Sequence, residues 1–228
     1  MDNQIRLNKF LAERLGVSRR EADELIAKGK VSLDGETAKI GAKIDKTSKV
    51  CYNSKIIPFD TEYLYIAFHK PIGYVCSRRA QGSAPTLYEL LPKTYQKLKT
   101  VGRLDKDSSG LILLTNDGDF AFQMTHPKFR KNKVYEVELS RHLEPLHQQM
   151  ISDYGVMLDD GPSQFKVIRL TSAGPAERYL VFLTEGRNRQ IRRTFAALGY
   201  KVTKLHRISF GKYELGSLEP GKYDIIKP

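Results

Sequence analysis

The sequence has no tryptophan, only two cysteines, and no apolar run near the roughly 20 residues needed to cross a bilayer. Cys51 and Cys76 are too few for a disulfide framework and lack metal-ligand spacing, so no metal site is expected. No Walker loop and no GxGxxG segment occurs, which removes the reactions that depend on a bound nucleotide cofactor. The opening "MDNQIRLNKF" carries no apolar signal segment. These absences predict a cytoplasmic, reduced protein with no cofactor and no membrane association. Acid is also in short supply, with 26 Asp and Glu against 38 Lys and Arg, for a net charge of +12. An excess of that size points to a polyanionic partner, and nucleic acid is the first candidate.

The charge is gathered in local clusters more than in either segment as a whole. Residues 1–60 hold 12 basic and 9 acidic side chains, and residues 61–228 hold 26 and 17. Between Glu185 and Arg207 lie Arg187, Arg189, Arg192, Arg193, Lys201 and Lys204, with Glu185 the one acid. A second cluster, Lys128, Arg130, Lys131 and Lys133, includes no acid. Clustering of this kind describes a surface more than a scatter.

The first fifty residues form a helix, a helix and a hairpin in pattern. Leu7, Phe10, Leu11 and Leu15 share one helical face, and Gly16 ends the run. Ser18 followed by Glu21 is a capping box for a second helix with Ala22, Leu25 and Ile26 as its stripe and Gly29 as its stop. "KVSLDGETAKI" alternates about Asp34-Gly35, the signal for a tight hairpin turn. Arg6, Lys9, Arg19, Arg20, Lys28 and Lys30 fall off the apolar stripes, either as a solvated face or as a surface that tracks phosphates. "RLNKFLAERLGVSRREADELIAKGKVSLDG" resembles the alpha-L RNA-binding domain. The expected boundaries are 1–56 for this domain, 57–62 for a linker broken by Pro58 and Asp60, and 63–228 for the remainder.

From Leu64 the pattern changes. "LYIAFHK", "YVCS", "LILLT", "KVYEVEL", "RYLVFLT" and the stretch after Val202 read as strands, and "TLYELLP" as a short helix ending near Pro92. Strands dominate and helices are few. The expected fold class is α+β, with a mixed, mostly antiparallel sheet and flanking helices.

Three places carry residue types suited to chemistry. In "VGRLDKDSSGLILLT", Arg103 precedes Asp105 by two positions, and a polar turn leads into a buried strand. Local spacing alone favours a turn-capping role for Asp105, and Asp107, Asp117 and Asp119 fit such roles better still. In "KVYEVEL", Tyr135, Val137 and Leu139 share the more apolar face, which by itself describes a core tyrosine. In "EGRNRQIRRTFAALG", Asn188 is a candidate N-cap and Gly199 a stop, with Ile191, Phe195 and Leu198 as the buried stripe. Arg189, Arg192 and Arg193 then project near the helix start, where free amides also attract anions.

Taken together, "HKPIGYV", "GRLDKDSSGLILLTNDG", "KVYEVEL" and "EGRNRQIRR" resemble, in order, the motifs of ribosomal RNA pseudouridine synthases that carry an N-terminal alpha-L domain. Thr194 departs from the pattern, where the family more often has methionine. The resemblance implies that Asp105 is the nucleophile, that Tyr135 packs against the target base and aids proton removal, that Arg192 pairs with Asp105, and that Arg103 takes the place of the extruded uridine. It implies ribosomal RNA, or a ribosomal assembly intermediate, as the partner. Lys133, Arg187, Arg189 and Arg193 join Arg6, Lys9, Arg19, Arg20 and Lys30 as expected RNA contacts. No obligate protein partner is implied, and the expected state is a monomer. "DDGPSQFKVIRL" and "LTEGRNRQIRR" lean towards members acting on large-subunit rRNA, with small-subunit rRNA and a non-catalytic assembly factor as alternatives.

Overall fold

The computed structural model describes residues 4–60, 62–78, 82–170 and 177–228. The chain divides into two compact units: one runs to Leu64 and takes in Asn116–Gly118, and the other comprises Tyr65–Thr115 and Asp119–Pro228.

The N-terminal unit begins with helices α1 (Leu7–Arg14) and α2 (Arg19–Ala27). The Ser18 hydroxyl accepts from the Glu21 amide at 3.1 Å, and the Ser18 amide donates to the Glu21 carboxylate at 2.7 Å. At the far end, the amides of Gly29 and Lys30 donate to the carbonyls of Ile26 and Leu25. This closure places its left-handed residue at Gly29, where the missing Cβ removes the steric cost. The hairpin turns at Asp34 and Gly35, both at positive φ, and belongs to a four-stranded sheet. Leu7, Phe10, Leu11, Ala22, Ile26 and Val31 make the core. Ile57 is buried in that core and Phe59 packs against it, although both were expected in the linker. Their apolar side chains find the helices before the chain leaves. Thr61, also in the expected linker, lies outside the described residues.

The second unit is built on a nine-stranded sheet. Its strands are β1 (Tyr65–Lys70), β2 (Lys99–Val101), β3 (Ser109–Thr115), β4 (Lys133–Leu139), β5 (Lys166–Arg169), β6 (Glu177–Leu183), β7 (Val202–Phe210), β8 (Tyr213–Glu214) and β9 (Tyr223–Ile225). The order is β5-β6-β4-β7-β3-β1-β9, with β2 on β3 and β8 on β7. All these pairings are antiparallel except β3 with β7, where Ser109 faces His206 and Gly110 faces Arg207. That seam requires glycine: a Cβ on Gly110 would lie 2.2 Å from the Arg207 carbonyl oxygen, and its φ is +108°. Helix α3 (Gly118–Thr125) sets Phe120 and Met124 into a core with Leu111, Leu113 and Phe210. Helix α4 is short (Pro145–Gln149), and α5 (Gln190–Ala197) buries Ile191, Thr194 and Phe195.

One local expectation fails and a second is met in a tighter form. "YVCS" is not a strand: Val75 makes one isolated bridge to Thr86, and the Cys76 sulfur turns inward to the backbone of Leu104. Competition from that interior bond takes the chain off the extended path. The short helix of "TLYELLP" is a 3-10 turn over Leu87–Leu90, closed by a Thr86–Glu89 capping box. Among the described residues no helix is long and apolar enough to cross a membrane.

Candidate active site

The sheet's central strands and adjoining loops bring Arg103, Asp105, Lys133, Tyr135, Arg187 and Arg189 to one cavity of about 280 Å³, whose lining does not include Arg192 or Arg193. Its walls include Asp105 and Arg103 from the loop before β3, Lys133 and Tyr135 from β4, Arg207 and Phe210 from β7, and Arg187 and Arg189 from the segment before α5. The alternation of β4 is strict, burying Lys133, Tyr135, Val137 and Leu139 and leaving Val134, Glu136 and Glu138 half-exposed. Tyr135 lies between Val181 of β6 and Arg207 of β7. It is at once a core tyrosine and a pocket wall, so the two readings of the sequence are not rivals.

Asp105 sits in a loop held from beneath by Lys70. The Lys70 side chain is fully buried, and its Nζ donates to the carbonyls of Asp105 (3.0 Å), Ser108 (2.6 Å) and Pro71 (3.0 Å). Burial pulls the Lys70 pKa down to about 8, and the nearby Cys76, Asp105 and Asp107 oppose the shift. Three carbonyls satisfy all three ammonium protons, so the loop backbone is fixed while the Asp105 carboxylate stays one-third exposed.

The cation beside Asp105 is Arg189, whose Nη1 lies 3.5 Å from Oδ2. This differs from the expected partner, Arg192. Arg192 instead donates to the carbonyls of Asp107 (2.7 Å) and Val202 (2.9 Å), and its Nε sits 3.3 Å from the Asp107 carboxylate. The cause is the helix entry. The N-cap of α5 is Arg189, not Asn188, and it is left-handed (φ +46°). That turn swings the Arg189 guanidinium to the aspartate loop, while Arg192, in the first turn of the helix, meets the loop backbone. Asp107 takes a fork from Arg189 at 2.9 and 3.0 Å, and that bond holds the Asp107 carboxyl below its ordinary pKa.

Arg187 and Arg193 were expected to face RNA, but both are engaged by Asp160. Arg193 grips the carboxylate with two bonds at 3.0 and 2.8 Å, and Arg187 bonds it at 2.9 Å. Arg187 also donates to the carbonyls of Asp160, Gly161 and Pro162. Lys133 is buried too, donating to the Glu185 carbonyl at 3.1 Å, with a pKa drawn to about 8 by burial and by the Arg207 charge. Arg103 is exposed at the pocket. In the N-terminal unit Arg6, Arg19, Arg20 and Lys30 are exposed and Lys9 is half-buried. Thr194 uses its hydroxyl to bond Ser163 and the Gln190 carbonyl, a fixed internal role for a residue that departs from the family pattern.

Sequence reasoning missed Lys70, Arg207 and the pairing roles of Asp107 and Asp160. Lys70 and Arg207 left a weak signal: each shares its strand face with an apolar residue two positions earlier, Phe68 and Leu205. Arg207 is buried, donates to the Leu111 carbonyl at 2.7 Å, and lies 4.9 Å from the Phe210 ring centre. The acids left none, because their partners are 82 to 85 and 27 to 33 residues away.

A carboxylate, a tyrosine and guanidinium groups thus line one cavity of about 280 Å³. Residues 64–197 match the family model for RNA pseudouridylate synthase, and residues 5–48 match the S4 domain, the alpha-L fold. The chain belongs to the RNA pseudouridylate synthase family, which isomerises uridine to pseudouridine. It is 38% identical to the ribosomal small subunit pseudouridine synthase A of Pasteurella multocida, covering 96% of this chain and 94% of that protein. It is 35% identical to the ribosomal large subunit pseudouridine synthase B of Escherichia coli strain K12, covering 92% and 75%. A crystal structure of a pseudouridylate synthase superposes with a TM-score of 0.70 at 33% identity, covering 98% of this chain and 96% of that one.

Proposed function

We propose that the protein converts one uridine of ribosomal RNA to pseudouridine, with Asp105 as the attacking carboxylate. The observation that carries this reading is the shared cavity: Asp105 and Tyr135 line one space, and Arg189 stands 3.5 Å from the aspartate. The reaction breaks N1–C1′ and joins C5 to C1′, so it needs no redox partner and no incoming group. An ionised carboxylate is the nucleophile such a step calls for, and a guanidinium beside it keeps it charged and aimed.

The uridine must leave its stack to enter the cavity, at a cost on the order of a few kcal/mol. Packing on Tyr135 returns about 1–3 kcal/mol. Arg103, exposed at the pocket, fills the gap left in the RNA. Arg192 holds the Asp107 carbonyl and the Ser108 hydroxyl, and with them the approach of Asp105. Arg6, Lys9, Arg19, Arg20 and Lys30 supply phosphate contacts from the N-terminal unit.

The finer reading is a uridine of large-subunit rRNA. "DDGPSQFKVIRL" and "LTEGRNRQIRR" support it, as do relatives of that name at 35% identity. Small-subunit rRNA is the second reading, favoured by the 38% identical relative whose length this chain nearly spans. Mapping pseudouridines in both rRNAs of a deletion strain separates them. rRNA from that strain, labelled with tritium at C5 of uridine, tests the chemistry. The protein should release the label, and Asp105→Asn should release none while still binding RNA. Wild-type binding without release would overturn the reading.

A further inference from the structure

Beside the pocket lies an aromatic and basic cluster that the reading above leaves unused. Helix α3 turns Phe120 and Met124 inward but leaves Phe122 45% exposed. The turn after it leaves Phe129 38% exposed. The two rings meet edge to face at 5.8 Å, and the His126 ring lies 4.6 Å from Phe122. Lys128 Nζ caps both phenylalanines, at 5.2 and 4.7 Å from their centres. Arg130 and Lys131 follow directly, and no acid occurs from Phe120 to Tyr135. Thr125 and Pro127, between the two rings in sequence, line the Asp105 cavity.

Two phenylalanines left in water side by side are a cost unless something covers them. The chemistry of the cover follows from what surrounds them. Aromatic faces capped by a lysine and followed by further cations suit unpaired bases joined by phosphates, since bases stack on the rings and the phosphates meet the ammonium and guanidinium groups. The patch is continuous with the cavity wall, so it lies on the path of a strand whose uridine has entered.

We propose that Phe122 and Phe129 form a stacking platform for single-stranded RNA bases flanking the flipped uridine, with Lys128, Arg130 and Lys131 tracking their phosphates. The proposal rests on the function above and names how the same site holds its substrate. It gives the enzyme a grip on neighbouring nucleotides that does not depend on reading base edges.

The test uses the full chain and protein-free rRNA transcripts labelled with tritium at C5 of uridine. The double variant Phe122→Ala/Phe129→Ala should weaken binding on the order of tenfold or more, with little change in the slope of affinity against salt. Its release rate at saturating RNA should stay near that of the wild type. The double variant Phe122→Trp/Phe129→Trp should restore affinity, and its fluorescence should be quenched on binding. Phe122→Leu/Phe129→Leu, equally apolar but not planar, should not restore it. Wild-type affinity in the alanine variant, or rescue by leucine as good as by tryptophan, would overturn the platform, and the first result would send the patch to a protein partner instead. Either outcome leaves the isomerase reading standing as long as the wild type releases tritium.

Discussion

The cations of the N-terminal unit and those around the start of α5 differ in what faces them. Arg6, Arg19, Arg20 and Lys30 are exposed, and among the described residues none has a carboxylate partner. Arg187, Arg189, Arg192 and Arg193 are denser in sequence yet already engaged, two by Asp160 and two by Asp107. Local arginine density therefore does not distinguish paired cations from unpaired ones. At α5 the charge is spent on geometry: it ties a left-handed helix entry and the Asp105 loop together. In the first unit it remains available to a ligand.

The sharpest way to break this contrast is to remove the acid that organises the enclosed group. Asp107→Asn should loosen Arg189 and Arg192 together. Tritium release should then fall on the order of a hundredfold, the scale of an ångström-sized misplacement, while RNA affinity changes little. Equal losses in rate and affinity would mean that these arginines read phosphates after all.

The next effect concerns a buried cation held by carbonyls rather than by a carboxylate. Lys70 has a folded pKa of about 8 against an ordinary value of 10.5. Between those values the unfolded chain binds more protons than the folded one, so stability rises with pH across that window. Below about pH 8 both states are protonated and the burial cost is present in full. Denaturant titrations of wild type and Lys70→Met should diverge from pH 8 to pH 10, the wild type gaining on the order of 2 kcal/mol relative to the variant. Parallel curves would show that the buried ammonium is not strained.

The smallest effect is at the open surface. Arg19→Ala/Arg20→Ala should lower the magnitude of the salt slope of RNA binding by roughly 1.5, with the rate at saturating RNA unchanged. An unchanged slope would place these side chains in bulk water even in the complex.

The fold was legible where one short-range rule acted alone. Ser18 with Glu21, Gly29 after Ile26, and Asp34-Gly35 each fix a cap or turn within a few residues, and each is where the pattern put it. The strict alternation of "KVYEVEL" placed Tyr135 on the buried face for the same reason. The entry to α5 was misread because its N-terminus is set by Gln190 bonding back to the Arg187 amide at 3.3 Å, and no side chain caps it. Asp105 was ambiguous locally. What separates a capping aspartate from one lining a cavity is supplied by β4, β7 and the segment before α5, and no spacing rule spans that distance.

The parallel seam joining Gly110 to Arg207 has a further consequence. Ser109 and His206, which meet along it, are 97 positions apart. At synthesis rates of about 5–20 residues per second, the aspartate loop emerges from the ribosome roughly 5–20 s before the strand that closes its chamber. During that interval the aspartate loop of a nascent chain has no chamber around it, and the Asp105 carboxylate meets bulk water rather than the walls that β7 supplies.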